Sequence, residues 1–210
     1  MNKEQFIEEV KILGIEITED KLQKLEEFYQ LLIEWNQKIN LTRIIEKEDV
    51  YLKHFYDSLT LIKAVDLTKD LTLLDVGTGA GFPGIVLKIV FPNLKIVLVD
   101  SLLKRIKYLN LVIEKLSLKD IEAIHTRIED YTKTGKRFDI VTSRAVANLS
   151  KLYSYCIPAV KKDGLFIAMK ANVQEELKEF KKIYKCNIKE IKFYLPYEKS
   201  QRDLVIIKKD

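Results

Sequence analysis

Cysteine is almost missing from this 210-residue sequence, with Cys156 and Cys186 the two examples, and histidine is as scarce, with His54 and His125. Two thiols and two imidazoles without metal-ligand spacing make neither a disulfide framework nor a zinc site. The expectation is a metal-free chain with reduced thiols, as in the cytoplasm. Four prolines and seven glycines are too few and too scattered for a linker, and no repeat or low-complexity tract interrupts the chain. Long apolar runs are lacking as well. The stretch from Ile85 to Phe91 contains Lys88 and stops at Pro92, far short of the roughly 20 residues that cross a bilayer. Asn2 to Leu13 carries Glu4, Glu8 and Glu9 where a secretion signal needs a basic start and an apolar run. Charge of one sign has only a small excess, +5 net, and it is uneven: the last 60 residues hold 14 Lys and Arg against 8 Asp and Glu. That surplus suits a polyanionic partner, and it equally suits solvated faces such as Lys161-Lys162 and Lys181-Lys182.

What the chain does have is 47% hydrophobic residues, enough for one well-filled core. Leu22, Leu25, Phe28, Leu32, Trp35 and Ile39 recur at steps of three and four and make an apolar helical stripe. Asn2 and Thr18 read as N-caps, Gly14 as a stop between two helices, and a third helical stretch is expected over Lys47 to Ala64. Residues 1–65 thus read as an N-terminal helical cap and residues 66–210 as the main domain, the two forming one compact unit. Beyond Leu71 the periodicity changes. Short β-rich runs at Leu71 to Val76, Leu94 to Asp100, Ile121 to Thr126, Phe138 to Ser143 and Leu165 to Lys170 alternate with amphipathic segments, the pattern of a doubly wound, mostly parallel α/β sheet. The last two runs, Ile188 to Tyr194 and Leu204 to Lys208, have no helix between them and predict an antiparallel hairpin.

The first strand runs into Asp75-Val76-Gly77-Thr78-Gly79-Ala80-Gly81-Phe82-Pro83-Gly84, where glycines let backbone approach a ligand closely. Gly79, Gly81 and Gly84 also satisfy a dinucleotide fingerprint, so a nicotinamide or flavin enzyme is one reading. Asp75 favours another, because a carboxylate at the turn repels a pyrophosphate and welcomes the cationic amino-acid end of S-adenosyl-L-methionine. Pro83 offers no N–H where a pyrophosphate needs donors, and a closing hairpin after five α/β units is the usual ending of the class I methyltransferase fold. Asp75, Gly77, Thr78 and Gly79 are therefore candidate cofactor residues. Asp100 ends the second strand, where an acid accepts ribose hydroxyls in either cofactor class or caps the helix that follows.

Four ordered motifs go further: Trp35-Asn36 with Asn40-Leu41-Thr42, His54 with Asp57-Ser58-Leu59, the Asp75 to Gly84 turn, and Ser143-Arg144-Ala145. The chain resembles the RsmG family, also called glucose-inhibited division protein B, over essentially its whole length. That resemblance implies a class I S-adenosyl-L-methionine-dependent methyltransferase, Rossmann-like with the helical cap, acting on N7 of guanine 527 in 16S rRNA of the small ribosomal subunit. It implies cofactor contacts from Gly77, Phe82, Ile128, Glu129 and Arg144, with Asp100 and Ser101 near the ribose and Asn40 and His54 lining the same cleft. Arg144, His54 and Asn40 are the catalytic candidates; without the motif, His54 beside Phe55 and Tyr56 reads as a satisfied core histidine. Lys104, Arg105 and Lys107 form either an RNA track or a solvated face, and Lys170 is a further RNA candidate, although Ala171 stands where members commonly have glycine. Guanine N7 is an unprotonated lone pair, so few catalytic side chains are required. After the fourth strand this chain has Ser143-Arg144-Ala145-Val146 and not the Asn/Asp-Pro-Pro-aromatic turn usual for exocyclic amines, and neither cysteine ends a strand as a pyrimidine-C5 nucleophile would. A monomer is the default expectation.

Overall fold

Strand residues of this chain face two directions in strict alternation, and the alternation accounts for the architecture. Leu73, Ile96, Leu98, Ile140 and Ile167 belong to one buried cluster, while their neighbours Leu74, Val97, Val99, Val141 and Phe166 belong to a second. Both faces of the sheet must then be covered by helices. The computed structural model, which describes residues 1–144 and 147–209, shows this.

The sheet has seven strands in the order β3-β2-β1-β4-β5-β7-β6. They are β1 (Thr72–Val76), β2 (Lys95–Asp100), β3 (Ile121–His125), β4 (Phe138–Arg144), β5 (Val160–Lys170), β6 (Ile188–Tyr194) and β7 (Gln201–Lys208). The first five pair in parallel, and β7 runs antiparallel to both β5 and β6. The chain therefore reverses at β1/β4, where one connection leads to β2 and the other comes back, and at such a switch point the carboxyl ends of the strands leave a crevice.

Helices α1 (Lys3–Ile12) and α2 (Glu19–Ile39) begin as the sequence predicts. Asn2 accepts the Gln5 N–H at 2.9 Å in a reciprocal capping box, and Thr18 accepts the Lys21 N–H. Gly14 follows the first helix at φ 80°, and Asn40 ends the second in the left-handed region at φ 48°. The third stretch differs from the single helix expected. It runs as α3 (Lys47–Val50), a π-helical segment (Tyr51–Tyr56), α4 (Asp57–Leu59) and a 3-10 turn (Thr60–Lys63). Then come α5 (Gly84–Val90), α6 (Leu103–Lys115), α7 (Ile128–Tyr131), α8 (Leu149–Cys156) and α9 (Gln174–Ile183). Phe28 of α2 and Phe55 of the π segment stack at 5.9 Å and share the buried cluster of β1, β2, α5 and α6. Leu152 of α8 and Phe180 of α9 pack on the other face.

Two strands are longer than their apolar patterns. β5 starts at Val160, since Lys161 and Asp139 pair at 2.9 Å across a register shift that polar residues can occupy at the sheet's end. β7 starts at Gln201, so Arg202 and Asp203 are strand residues facing the crevice end.

Candidate active site

A cleft of about 760 Å³ opens at the carboxyl ends of β1 and β4. One wall is the glycine turn. Gly77, Gly79 and Gly81 sit at φ 68°, 59° and 97°, a backbone path that L side chains adopt only under strain. Almost every donor in this turn is used internally. Gly77 and Thr78 donate to the Val99 carbonyl, Gly79 to Asp100, Gly81 and Phe82 to the Thr78 carbonyl, and Gly84 to Asp75. Pro83 has no N–H to give. A pyrophosphate needs a fan of free donors at such a turn, and this one does not present it.

Asp75 lies beneath the turn rather than on the cleft surface. Its Oδ2 accepts the Thr78 hydroxyl at 2.7 Å and the Gly84 N–H at 2.9 Å. Its Oδ1 is buried without a hydrogen-bond partner among the described residues. Burial pushes the carboxyl up to about 6, against the pull of those two hydrogen bonds and of Arg144. Asp100, also buried, organises the next corner by accepting the Gly79 and Leu102 N–H groups at 3.0 and 2.9 Å and pairing with Arg105 at 3.1 Å. Leu102, not Asp100, is the N-cap residue of α6.

The facing wall is made of side chains brought from three parts of the chain. Arg144 at the end of β4 donates through Nη1 to the Lys53 carbonyl at 2.8 Å and to Asp57 at 3.0 Å, and through Nη2 to His54 Nδ1 at 3.0 Å. Asp57, 5% exposed, receives Arg202 on its other oxygen at 3.2 Å. His54 stacks on Phe82 with ring centroids 4.3 Å apart, and the Arg144 guanidinium lies 5.2 Å from the same ring. Burial, reinforced by Arg144, lowers the His54 imidazole to about 3, so it is neutral at physiological pH.

Gly77, Thr78, Gly79, Phe82, His54, Arg105, Arg144 and Lys170 all line this cleft. Asn40 is exposed and caps α2, while its neighbours Leu41 and Thr42 reach the cleft. Ile128 and Glu129 open α7 after β3, and Ser101 and Lys104 are exposed at the start of α6; none of the four is part of the lining. Lys170 is held by the Ala147 carbonyl at 2.6 Å and by Glu176 at 3.0 Å, which makes it a clamp between β5 and the start of α9. Ala145 and Val146, which complete the fourth motif, lie outside the described residues. Cys156 is buried on the opposite face of the sheet with its thiol pushed up to about 12 by burial, unsuited to nucleophilic attack. Among the described residues no group of His, Cys, Asp or Glu could hold a metal, and no helix is long and apolar enough to cross a membrane. The sequence reading missed Thr42, Asp57 and Arg202 as site residues. The first two stood inside quoted motifs, whereas Arg202 sits in a polar stretch without any pattern.

A reversed seventh strand beside five parallel ones, with the crevice floored by a glycine turn whose donors are already taken, defines the class I fold of S-adenosyl-L-methionine-dependent methyltransferases. Solved structures agree. A ribosomal protein L11 methylase from Lactobacillus delbrueckii subsp. bulgaricus matches with TM-score 0.59 and 18% identity, over 75% of this chain and 79% of that one. A precorrin-6y C5,15-methyltransferase from Geobacter metallireducens matches with TM-score 0.54 and 13% identity, over 72% and 87%. The family model GidB, described as rRNA small subunit methyltransferase G, matches residues 21–205, and the chain belongs to that methyltransferase family. Relatives named ribosomal RNA small subunit methyltransferase G are 44% identical in Exiguobacterium sibiricum, covering 100% of this chain and 91% of the relative, and 48% identical in Staphylococcus saprophyticus, covering 93% and 85%.

Proposed function

We propose that this protein transfers the methyl group of S-adenosyl-L-methionine to N7 of guanine 527 in 16S rRNA of the small ribosomal subunit, in the cytoplasm. The observation that carries the chemistry is that the cleft contains no free base among the described residues. His54 Nδ1 is taken by Arg144, Asp57 is shared between two guanidiniums, and Asp203 accepts the Val173 N–H and Gln201. Such a site cannot remove a proton from an exocyclic amine or a hydroxyl. It suits an acceptor that already carries a lone pair, and guanine N7 is one.

The residues also fit the cofactor. The glycine turn leaves room for backbone contact, Asp75 braces that turn from beneath through Thr78 and Gly84 and adds a carboxylate under the cleft, and Asp100 is oriented by two backbone donors at the adjoining corner. When bound, the sulfonium supplies an electrophilic methyl that needs no general acid to activate it. The chain's own part is alignment and electrostatics. Tying Arg144 to Asp57 and His54 serves this, because a guanidinium free to donate to N7 would occupy the lone pair that must react. Phe82 and His54 stack in the cleft wall with the Arg144 guanidinium beside them, an aromatic and cationic surface that suits a splayed-out base. Lys104 and Arg105 at the start of α6 are the candidates for RNA phosphates, whereas Lys170, bonded to the Ala147 carbonyl and Glu176, holds the wall together.

The test is transfer of labelled methyl to small subunits lacking the modification, with transfer RNA and free nucleosides as controls. Borohydride and aniline cleavage then maps N7-methylguanine. One cleavage site in 16S RNA is expected; label in the subunit at any other atom would reject the reading.

A further inference from the structure

The hydrogen bonds around His54 have a direction, and the direction ends in the cleft. An arginine side chain has donors and no acceptor, so the 3.0 Å contact from Arg144 Nη2 to His54 Nδ1 requires a lone pair on Nδ1. The alternative tautomer would turn Nδ1–H toward the Lys53 carbonyl at 3.1 Å, and it would set that hydrogen against the guanidinium N–H of Arg144 at 3.0 Å, two donors with no acceptor between them. His54, neutral at physiological pH, therefore carries its hydrogen on Nε2 and donates it to the Thr42 hydroxyl oxygen at 3.0 Å. The same oxygen accepts the Ile44 N–H at 3.1 Å. Both lone pairs of Thr42 are then filled, and its own O–H must donate elsewhere. No described residue accepts it, and Thr42 lines the cleft.

We infer that Thr42 is the purine-selecting residue of this site, a one-way donor fixed by the Arg144 to His54 to Thr42 chain that hydrogen-bonds guanine O6 and faces the N6 amino group of adenine with no acceptor. O6 neighbours N7 on the same edge of the base, so the contact both selects guanine and aims N7 at the methyl. A hydroxyl normally serves as donor or acceptor at will and would tolerate either purine; the two filled lone pairs remove that freedom. This inference rests on the guanine-N7 reading above.

The test uses the full-length protein and small subunits reconstituted with 16S RNA that carries either guanine or 2-aminopurine, which keeps N7 and lacks O6, at the target position. The wild type is expected to lose about ten-fold or more in kcat/KM on the 2-aminopurine subunit. Thr42→Val should show that loss on guanine and no further loss on 2-aminopurine, while Thr42→Ser retains the wild-type pattern on both. S-adenosylhomocysteine affinity should be the same in all three proteins, because the cofactor wall is untouched. Equal wild-type rates on the two subunits, or an added loss for Thr42→Val on 2-aminopurine, would overturn the Thr42 assignment while the guanine-N7 function stood. Wild-type label at an atom other than guanine N7 is the separate outcome that removes the functional reading and the O6 contact with it.

Discussion

The wall of the cleft after β1 consists of backbone, with the Asp75 to Gly84 turn held by short hydrogen bonds of its own and by Val99 and Asp100 of the neighbouring β2. The wall opposite consists of side chains, with Arg144 and Arg202 reaching Asp57 across 87 and 145 residues of sequence. The two also handle charge differently. Asp75 is buried under the turn with one oxygen unpartnered among the described residues and no cation bonded to it, whereas Asp57 has two cations built in. A backbone wall suits a cofactor that every member of a fold class binds alike, and a side-chain wall can change with the substrate.

The largest effect separating the walls is expected from Asp57→Ala. Removing the shared carboxylate leaves two guanidiniums facing each other in a poorly hydrated place, at a cost of about 3–5 kcal/mol. Urea unfolding should show that loss, and methyl transfer should fall to background because Arg144 loses its anchor and with it the hold on His54. Asp57→Asn keeps one acceptor oxygen, enough for one of the two arginines, and should recover part of the stability. If Asp57→Ala unfolded at the wild-type midpoint, the network would be a surface feature and the contrast between the walls would fail.

The backbone wall is broken instead by Gly84→Ala. A Cβ at Gly84 would run into the Leu98 side chain and lie 2.9 Å from Asp75 Oδ2, pushing α5 away from β1 and β2. Overpacking of this kind costs about 1–3 kcal/mol. The expected signature is weaker S-adenosylhomocysteine binding by calorimetry, with the Asp57 network and RNA binding little changed.

These two positions also show what a sequence can and cannot display. The glycine turn was legible because Asp75 and its glycines stand in one stretch of ten residues, and the strands because their alternation assigns each residue to one of two buried faces. His54 and Asp57 stood in one quoted motif, of which only His54 was read as a site residue, and the π-helical turns between Tyr51 and Tyr56 were not visible, since helical periodicity does not distinguish them. The Asp57 to Arg202 pair left no trace, because nothing local marks residues that meet only after the sheet has formed. Arg202 was further hidden by the polar start of β7, where apolar alternation begins only at Leu204. Asn40 drew attention as a polar motif residue, yet its left-handed backbone shows it ending a helix, and the hydroxyl two residues on faces the cleft.

The charge contrast predicts a pH dependence with a definite sign. Folded Asp75 holds its proton to about 6 and an ordinary aspartate to 3.8, so the neutral carboxyl favours the fold at low pH and that contribution is lost as pH rises through 6. A cationic ligand wants the opposite state. Affinity for S-adenosylhomocysteine should therefore fall as pH is lowered below 6, approaching ten-fold per unit, about 1.4 kcal/mol. Arg144 and Asp100 are the nearby charges and act on Asp75 in opposite directions, so neither removes the trend. His54 does not contribute there, since it stays neutral down to about 3. Asp75→Asn should flatten the profile.

The smallest effect is expected where the walls meet, at Arg105. Its partner Asp100 keeps the Gly79 and Leu102 N–H groups when the guanidinium is removed, and Arg105 itself is 31% exposed. Arg105→Ala should then cost no more than about 1 kcal/mol in thermal unfolding. Cofactor affinity should change only slightly for the same reason, because two backbone donors still orient the carboxylate. The guanidinium also lines the cleft, and if its remaining N–H groups meet a phosphate, the salt dependence of subunit binding should become shallower by about one unit of log–log slope. A change in slope without a change in cofactor affinity assigns Arg105 to the substrate side. The reverse result would extend the backbone wall by one side chain and leave RNA capture to the exposed lysines of α6.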